Sequence, residues 1–337
     1  MNYQNVGTPR FYINTIEWLI NTGYEQTFYF PSSLVSKDIL RTLPVSHDED
    51  FVHAIFSIPP GVMNDNSFIA ILNNTLASQG LGYNINAPES IDGSLSAEYA
   101  VGNLYKHNIV NSPIGTGFEV PQHNGFNIAE FEMPGIGFFE IWSNSYSNIG
   151  SIVVGTYFEM PHSPDLSLTM SREYGGIKNI ETKGGASLSN AFYTKPPMWG
   201  NAGAWELHAG DSTTQKLSRS GRRIWDLSFS YLSARSVFGS NQSLTEAPWG
   251  IITEEQGWDG DDIHDTLYTF NKHLLISDDF YSQVIHKTNG GQLPFIFQPD
   301  VNDITQIAIC KFDMKSFKFE QVANGVYNVK LKIREVW

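Results

Sequence analysis

The spacing of hydrophobic and polar residues along the chain changes period from one stretch to the next, and each period predicts an element. From Asp65 to Gln79, the residues Phe68, Ile71, Leu72 and Leu76 fall at helical spacing, with Asp65 or Asn66 as cap and Gly80 as stop, which predicts a helix. The Asn-, Gly-, Pro- and Ser-rich stretch from Gly82 to about Ser94 reads as a loop. Between Phe118 and Phe158, short apolar runs such as Phe138-Phe139-Glu140-Ile141-Trp142 and Ile152-Val153-Val154 alternate with turn glycines, which is the texture of a sheet.

The second half carries a clearer period of two. Trp225, Leu227, Phe229 and Tyr231 alternate with Ile224, Asp226, Ser228 and Ser230, predicting a strand with one mostly polar face. At the end of the chain Tyr327, Val329, Leu331 and Ile333 face one way, while Asn328, Lys330, Lys332 and Arg334 face the other. Asn324-Gly325 joins this run back to Phe317 and Phe319, and Asn-Gly between alternating runs predicts a hairpin closed by a type I′ turn. Two helical patches interrupt the pattern. Ile263, Leu267, Phe270 and Leu274 share one helical face, and Ser277-Asp278-Asp279 caps a short turn ending near Val284. The expected fold class is therefore mainly β with a few short helices, a β-sandwich or β-barrel-like domain at residues 151–337 following an N-terminal α+β domain at residues 1–150.

Composition changes this picture in one respect. Charged residues make up only 17% of the 337, against about 25% in ordinary domains. Their place is taken by Asn, Ser, Thr, Gly and aromatics, including 22 Phe, 15 Tyr and 8 Trp. Such side chains suit sheets and surfaces covered by neighbours, because they bring large contact areas with little rotamer entropy to lose. The net charge of −14 repels a polyanion, so no nucleic-acid partner is expected. The longest apolar runs are far shorter than a membrane span, and the first residues carry no basic region followed by an apolar core, so neither membrane insertion nor export by the usual route is expected. Cys310, the single cysteine, excludes an internal disulfide and reads as a small core residue between Ile309 and Phe312.

Candidate chemistry is thin. Gly210-Asp211-Ser212 with Asp261-Asp262-Ile263-His264 echoes the Gly-Asp-Ser and Asp-x-x-His elements of SGNH esterases, with Ser212 as nucleophile. The intervening stretch is too short for the α/β core that chemistry needs. Asp259, Asp261, Asp262 and Asp265 supply calcium-type oxygens, but the EF-hand positions fall on Ile263 and Phe270, so the run reads as a solvated helix start. His47-Asp48-Glu49-Asp50 with His53 matches no zinc spacing, and His107, His123 and His162 are scattered in polar sequence. Glu130 and Glu132 share one strand face, a weak glycosidase signal. Neither Gly115-Thr116-Gly117 nor Gly135-Ile136-Gly137 extends into a phosphate-binding loop, and Gly175-Gly176, Gly184-Gly185 and Gly290-Gly291 read as turns. No catalytic residue, metal ligand or cofactor is expected.

Four stretches carry a family likeness: Gly221-Arg222-Arg223-Ile224-Trp225-Asp226-Leu227-Ser228-Phe229; Phe280-Tyr281-Ser282-Gln283-Val284 with Thr288-Asn289-Gly290-Gly291; Pro294-Phe295-Ile296-Phe297-Gln298-Pro299-Asp300; and Tyr327 to Trp337. With them the span from Ile152 to Trp337 resembles the tail structural proteins of bacteriophages, similar to the distal-tail and baseplate-hub-adaptor group. The resemblance implies a non-enzymatic virion protein of the tail tip or baseplate. It would assemble in the host cytoplasm into a homo-oligomeric ring, a hexamer or trimer, and dock other phage tail proteins of tube, hub or fibre. The first half is not covered by this likeness. Other readings are a different assembly module, such as a capsid decoration or carbohydrate-binding β-sandwich, and a hydrolase using Ser212 or paired carboxylates.

Overall fold

The computed structural model describes residues 6–22, 62–63, 66–75, 124–130, 150–166, 168–174, 177–191, 197–199, 202–205, 221–238, 278–303 and 306–337, with the backbone of strands at 51–57, 83–86, 105–108, 131 and 138–144. The first strands are β1 (Arg10–Asn14), β2 (Phe51–Ser57), β3 (Ser67–Asn74), β4 (Tyr83–Asn86), β5 (Tyr105–Asn108), β6 (Gly125–Phe131), β7 (Phe138–Asn144) and β8 (Ser151–Glu159). Helix α1 (Thr15–Asn21) follows β1. Next come β9 (Thr169–Glu173), β10 (Ile177–Glu181), β11 (Ser187–Ala191), β12 (Met198–Trp199), β13 (Ala202–Gly203) and β14 (Arg222–Ser233). The chain continues through α2 (Ala234–Val237), a π-helix (Tyr281–His286), β15 (Phe295–Gln298), β16 (Ala308–Phe312), β17 (Phe319–Ala323) and β18 (Val326–Glu335). The protein is mainly β with short helices, as the sequence predicts.

An 11-stranded sheet, ordered β5-β6-β3-β8-β1-β15-β16-β18-β14-β9 with β17 paired to β18, organises the molecule. Strand β1 lies antiparallel between β8 and β15. Hydrogen bonding therefore runs without a break across residue 150, and the domain boundary expected there does not divide this sheet. Strands β2, β7 and β4 form a separate three-stranded sheet.

The central strands are buried on both faces, and alternate residues feed two cores. Phe11, Phe295, Phe297, Cys310 and Phe312 enter one core, with Trp225, Leu227 and Phe229 of β14 and Val284 of the π-helix. Tyr12, Ile296 and Ile309 point the opposite way, into a core with Phe68, Leu72, Phe126, Trp199 and Trp205. The first core also reveals the sheet's curvature. Strands β15 and β14 are three ladder steps apart, about 14 Å in a flat sheet. The rings of Phe297 and Trp225 nevertheless meet edge to face at 5.5 Å, so the sheet curls over that core.

Several expectations are corrected. Residues 67–74 form strand β3, not a helix, and all eight are buried. The helical spacing of Phe68, Ile71 and Leu72 is real, but Ile69 and Ala70 between them make the run apolar on both faces. Pairing with β6 on one side and β8 on the other satisfies that better than a helix with one buried stripe. The expected loop at 82–94 contains β4. In β14, Trp225, Leu227 and Phe229 are buried as expected but Tyr231 is not. The register against β18 shifts between Phe229 and Leu232, a β-bulge that turns Tyr231 outward and Leu232 inward. The terminal hairpin forms as predicted from β17 and β18. Its turn uses positive φ only at Gly325 (+67°), because Asn324 is not among the positive-φ residues, so the type I′ geometry is not adopted. The short turn after Asp279 is the π-helix, whose N-cap is Phe280, and Asp279 Oδ1 accepts from Ser282 N at 2.8 Å. The helical patch at 263–274 lies outside the described residues.

Candidate functional site

Charges inside the sheet form closed clusters. Arg10 on β1 reaches across the sheet, its Nη1 donating to Glu130 of β6 at 2.6 Å and its Nε to Glu159 of β8 at 2.7 Å. The Thr8 hydroxyl also donates to Glu159. Tyr12 OH lies 3.0 Å from Glu130 Oε1 and 3.1 Å from Gln298 Oε1, and its one proton goes to the carboxylate as the stronger acceptor. Burial, reinforced by the Glu130 charge, holds the Tyr12 and Tyr157 phenols well above their ordinary range. Both stay protonated at neutral pH and serve as fixed donors.

A second pair joins β14 and β18. Arg223 Nε and Nη2 donate to Glu335 Oε2 and Oε1, both at 2.9 Å, and the Arg223 backbone N–H donates to Oε2 at 2.9 Å. Nη1 and Nη2 also reach the carbonyls of Gln306 and Ile307. With side chains only 3% and 5% exposed, this is a two-pronged ion pair in which two of the three remaining guanidinium protons go to backbone carbonyls.

The third cluster surrounds Lys287, which follows the π-helix and is wholly buried. Its ammonium donates to Gln283 Oε1 at 2.7 Å, Thr156 Oγ1 at 3.2 Å and the Val62 carbonyl at 3.3 Å. Burial pushes its pKa down to about 7, against the smaller opposing effect of Asp278. π-Helical turns often mark functional places, because they cost backbone energy. Here the widened turn brings Gln283 and Lys287 onto Thr156 of β8, pinning the helix to the sheet.

None of these clusters joins a nucleophile to a base beside open space. Cys310 is fully buried, and its thiol is held well above its ordinary range by burial. Glu130 of the carboxylate pair is buried against Arg10, while Glu132 lies outside the described residues. His162 Nδ1 sits 2.8 Å from the carbonyl oxygen of Ser163, and its ring packs against Phe229. Gly185, Gly290 and Gly291 take positive φ in turns, Gly184 does not, and Gly175-Gly176 lie outside the described residues. The side chains of the Ser212 and His264 set, the Asp259–Asp265 run, the His47–Asp50 cluster with His53, and His107 and His123 lie outside the described residues. Among the described residues, no group of three or more His, Cys, Asp or Glu side chains converges to hold a metal ion.

The ion pair was legible in one way that periodicity reasoning passed over. Arg223 is in phase with Trp225, Leu227 and Phe229, and Glu335 with Tyr327 to Ile333, so each inward face ends in one charge of opposite sign. Lys287 gives no such signal beyond its four-residue spacing from Gln283.

Among the described residues, four of the seven exposed large apolar side chains lie on one segment, residues 169–191. Strand β9 closes the sheet with all five residues exposed. The hairpin β10–β11 that follows is a separate two-stranded sheet in which Ile180 and Leu188 stand opposite each other, 63% and 61% exposed. Met170 and Tyr174 are exposed on the same segment. On the body, Leu166 and Tyr231 each follow a partner in the hydrogen bond from Ser230 Oγ to Asp165 at 2.8 Å, and are 76% and 79% exposed. A cleft of about 220 Å³ opens there, lined by Asp165, Ser228, Ser230, Glu320, Asn328 and Lys330 among others. Comparison with protein-family models, curated proteins and solved structures finds no match to this chain.

Proposed function

We propose that the chain is a structural subunit of a larger assembly, a bacteriophage tail-tip or baseplate protein that forms a ring and docks neighbouring tail proteins in the virion. One observation carries this reading. In the described interior Arg10 pairs with Glu130 and Glu159 and Arg223 with Glu335, whereas four of the seven exposed large apolar side chains among the described residues, Met170, Tyr174, Ile180 and Leu188, lie on the edge strand and hairpin at residues 169–191. Exposed apolar residues grouped along one segment suit a surface that other protein covers. The weakly charged, aromatic-rich composition supports the same reading, as does the likeness of residues 152–337 to tail proteins.

Mass photometry and electron microscopy of the purified chain test it. The expected result is a closed ring at an integer multiple of 37.8 kDa. A protein that stays monomeric up to concentrations of about 100 μM, well above the dissociation constant of a standard-size interface, would sink the proposal.

A further inference from the structure

We propose that Asn324 is a self-modification site, whose side-chain amide is attacked by the backbone nitrogen of Gly325, releases ammonia and passes through a cyclic imide to aspartate or isoaspartate. The only co-reactant is water.

The chain carries three Asn-Gly pairs, Asn124-Gly125, Asn289-Gly290 and Asn324-Gly325. In each, glycine presents the attacking nitrogen without a neighbouring Cβ to hinder it. Local sequence makes the three alike, and the fold separates them.

Two are held. Asn124 is only 4% exposed, and Gly125 is fixed as the first residue of β6 by its pairing with Asn74, so water and backbone movement are both restricted. Asn289 is exposed, but Gly290 N, the atom that would attack, donates to the Ile285 carbonyl at 2.8 Å. That bond must break before the nitrogen can lose its proton. Asn289 N is tied as well, to the His286 carbonyl at 3.0 Å.

Asn324-Gly325 meets the opposite conditions. These two residues form the whole turn between Ala323 and Val326, the last pair of β17 with β18. Asn324 is exposed, and among the described residues neither its side chain nor Gly325 N makes a hydrogen bond. A Cβ placed on Gly325 would meet nothing within 4 Å, so the imide has room to form. The turn is tied through the Gly325 carbonyl, which accepts from Ala234 N at 2.8 Å and takes no part in ring closure. The nitrogen is thus free to approach Asn324 Cγ, and such access to a near-attack geometry sets the rate of an intramolecular reaction.

The step balances. Hydroxide takes the Gly325 N proton, the nitrogen bonds to Asn324 Cγ, and the Cγ–Nδ2 bond breaks, with Nδ2 leaving as ammonia after taking a proton from water. Water then opens the imide. Attack at Cγ restores the main chain with aspartate, and attack at the main-chain carbonyl routes the chain through Cβ and Cγ as isoaspartate. Either product adds a negative charge to a chain that already carries −14. Isoaspartate also lengthens the turn that sets Ala323 opposite Val326.

The test incubates the full chain at mildly alkaline pH, folded and in urea, and follows the three Asn-Gly peptides by mass spectrometry. In the folded protein Asn324 is expected to convert more than about tenfold faster than Asn289 or Asn124. In urea the three rates are expected to converge, because the local chemistry is shared. Asn324→Gln, at an exposed turn position, is expected to keep the fold and abolish the mass gain in its peptide, since a glutamine ring closes far more slowly. Equal rates in the folded protein, faster conversion at Asn289, a ranking that persists unchanged in urea, or a mass gain that survives Asn324→Gln would each overturn the proposal.

Discussion

Lys287 donates to Gln283 Oε1 at 2.7 Å, and both side chains are buried against Thr156 of β8. The ammonium is thus held by uncharged oxygens, which cannot make up for its lost hydration, and its pKa falls to about 7. In the unfolded chain a lysine titrates near 10.4, so between about 7 and 10 the unfolded state holds the extra proton. Stability should therefore rise with pH across that window and be independent of this group below it. The gain is on the order of a few kcal/mol. His286, lowered by burial, titrates below the window, while Cys310, raised by burial, opposes the slope above about pH 8.5, so the Lys287 effect is read from the difference between wild type and variant. Denaturant titrations from pH 6 to pH 10 should show the slope in the wild type and lose it in Lys287→Met. An equal slope in both would place the titration elsewhere.

The ion pair of Arg223 with Glu335 predicts strong non-additivity. Glu335→Leu leaves a buried guanidinium uncompensated and should cost about 3–5 kcal/mol, and Arg223→Met a similar amount. The double variant should cost far less than the sum, since neither charge remains. Urea melts of the four proteins complete the cycle, and simple additivity would mean that the pair is not coupled.

Gly155 is a point of close backbone approach. A Cβ there would overlap the Ile13 carbonyl oxygen and crowd the backbone nitrogen of Thr15 at 2.8 Å. Gly155→Ala should lower stability by about 2–4 kcal/mol, because the obstruction is the backbone of β1 and cannot rotate away. Thermal unfolding of the variant checks this.

Tyr231→Gly is expected to move the other way in the isolated subunit. Removing an exposed ring loses little, and relieving the positive φ of +62° gains about 1 kcal/mol. Melts at concentrations below assembly should show an unchanged or higher midpoint, and a fall would show that the ring packs within its own chain.

Cys310 should be unreactive in the folded protein. The thiol is buried at a strand centre, so a thiol reagent should label it only after denaturation. Rapid labelling under native conditions would contradict the position of β16.

Much of this was legible along the chain, because period and turn chemistry are local. The alternation in β14 and β18 gave the residues that face the core up to the bulge, where Leu232 and not Tyr231 turns inward, and Asn324-Gly325 marked where the last hairpin turns. Residues 67–74 were not legible in the same way, since an apolar run buried on both sides has no period of its own. Whether it becomes helix or strand depends on β6 and β8, whose partner residues lie as much as 89 positions away, as Ser67 and Thr156 do.

The sequence by itself therefore determined the fold class, most of the inward positions of β14 and β18, and the net negative charge. Those follow from side-chain period and charge count, which need no partner. The tertiary structure alone decided that β1 lies between β8 and β15, that Arg10 meets Glu130 and Lys287 meets Thr156, and that the bulge turns Tyr231 outward. Each of these depends on strands distant in sequence pairing in one register, and no local pattern records that register.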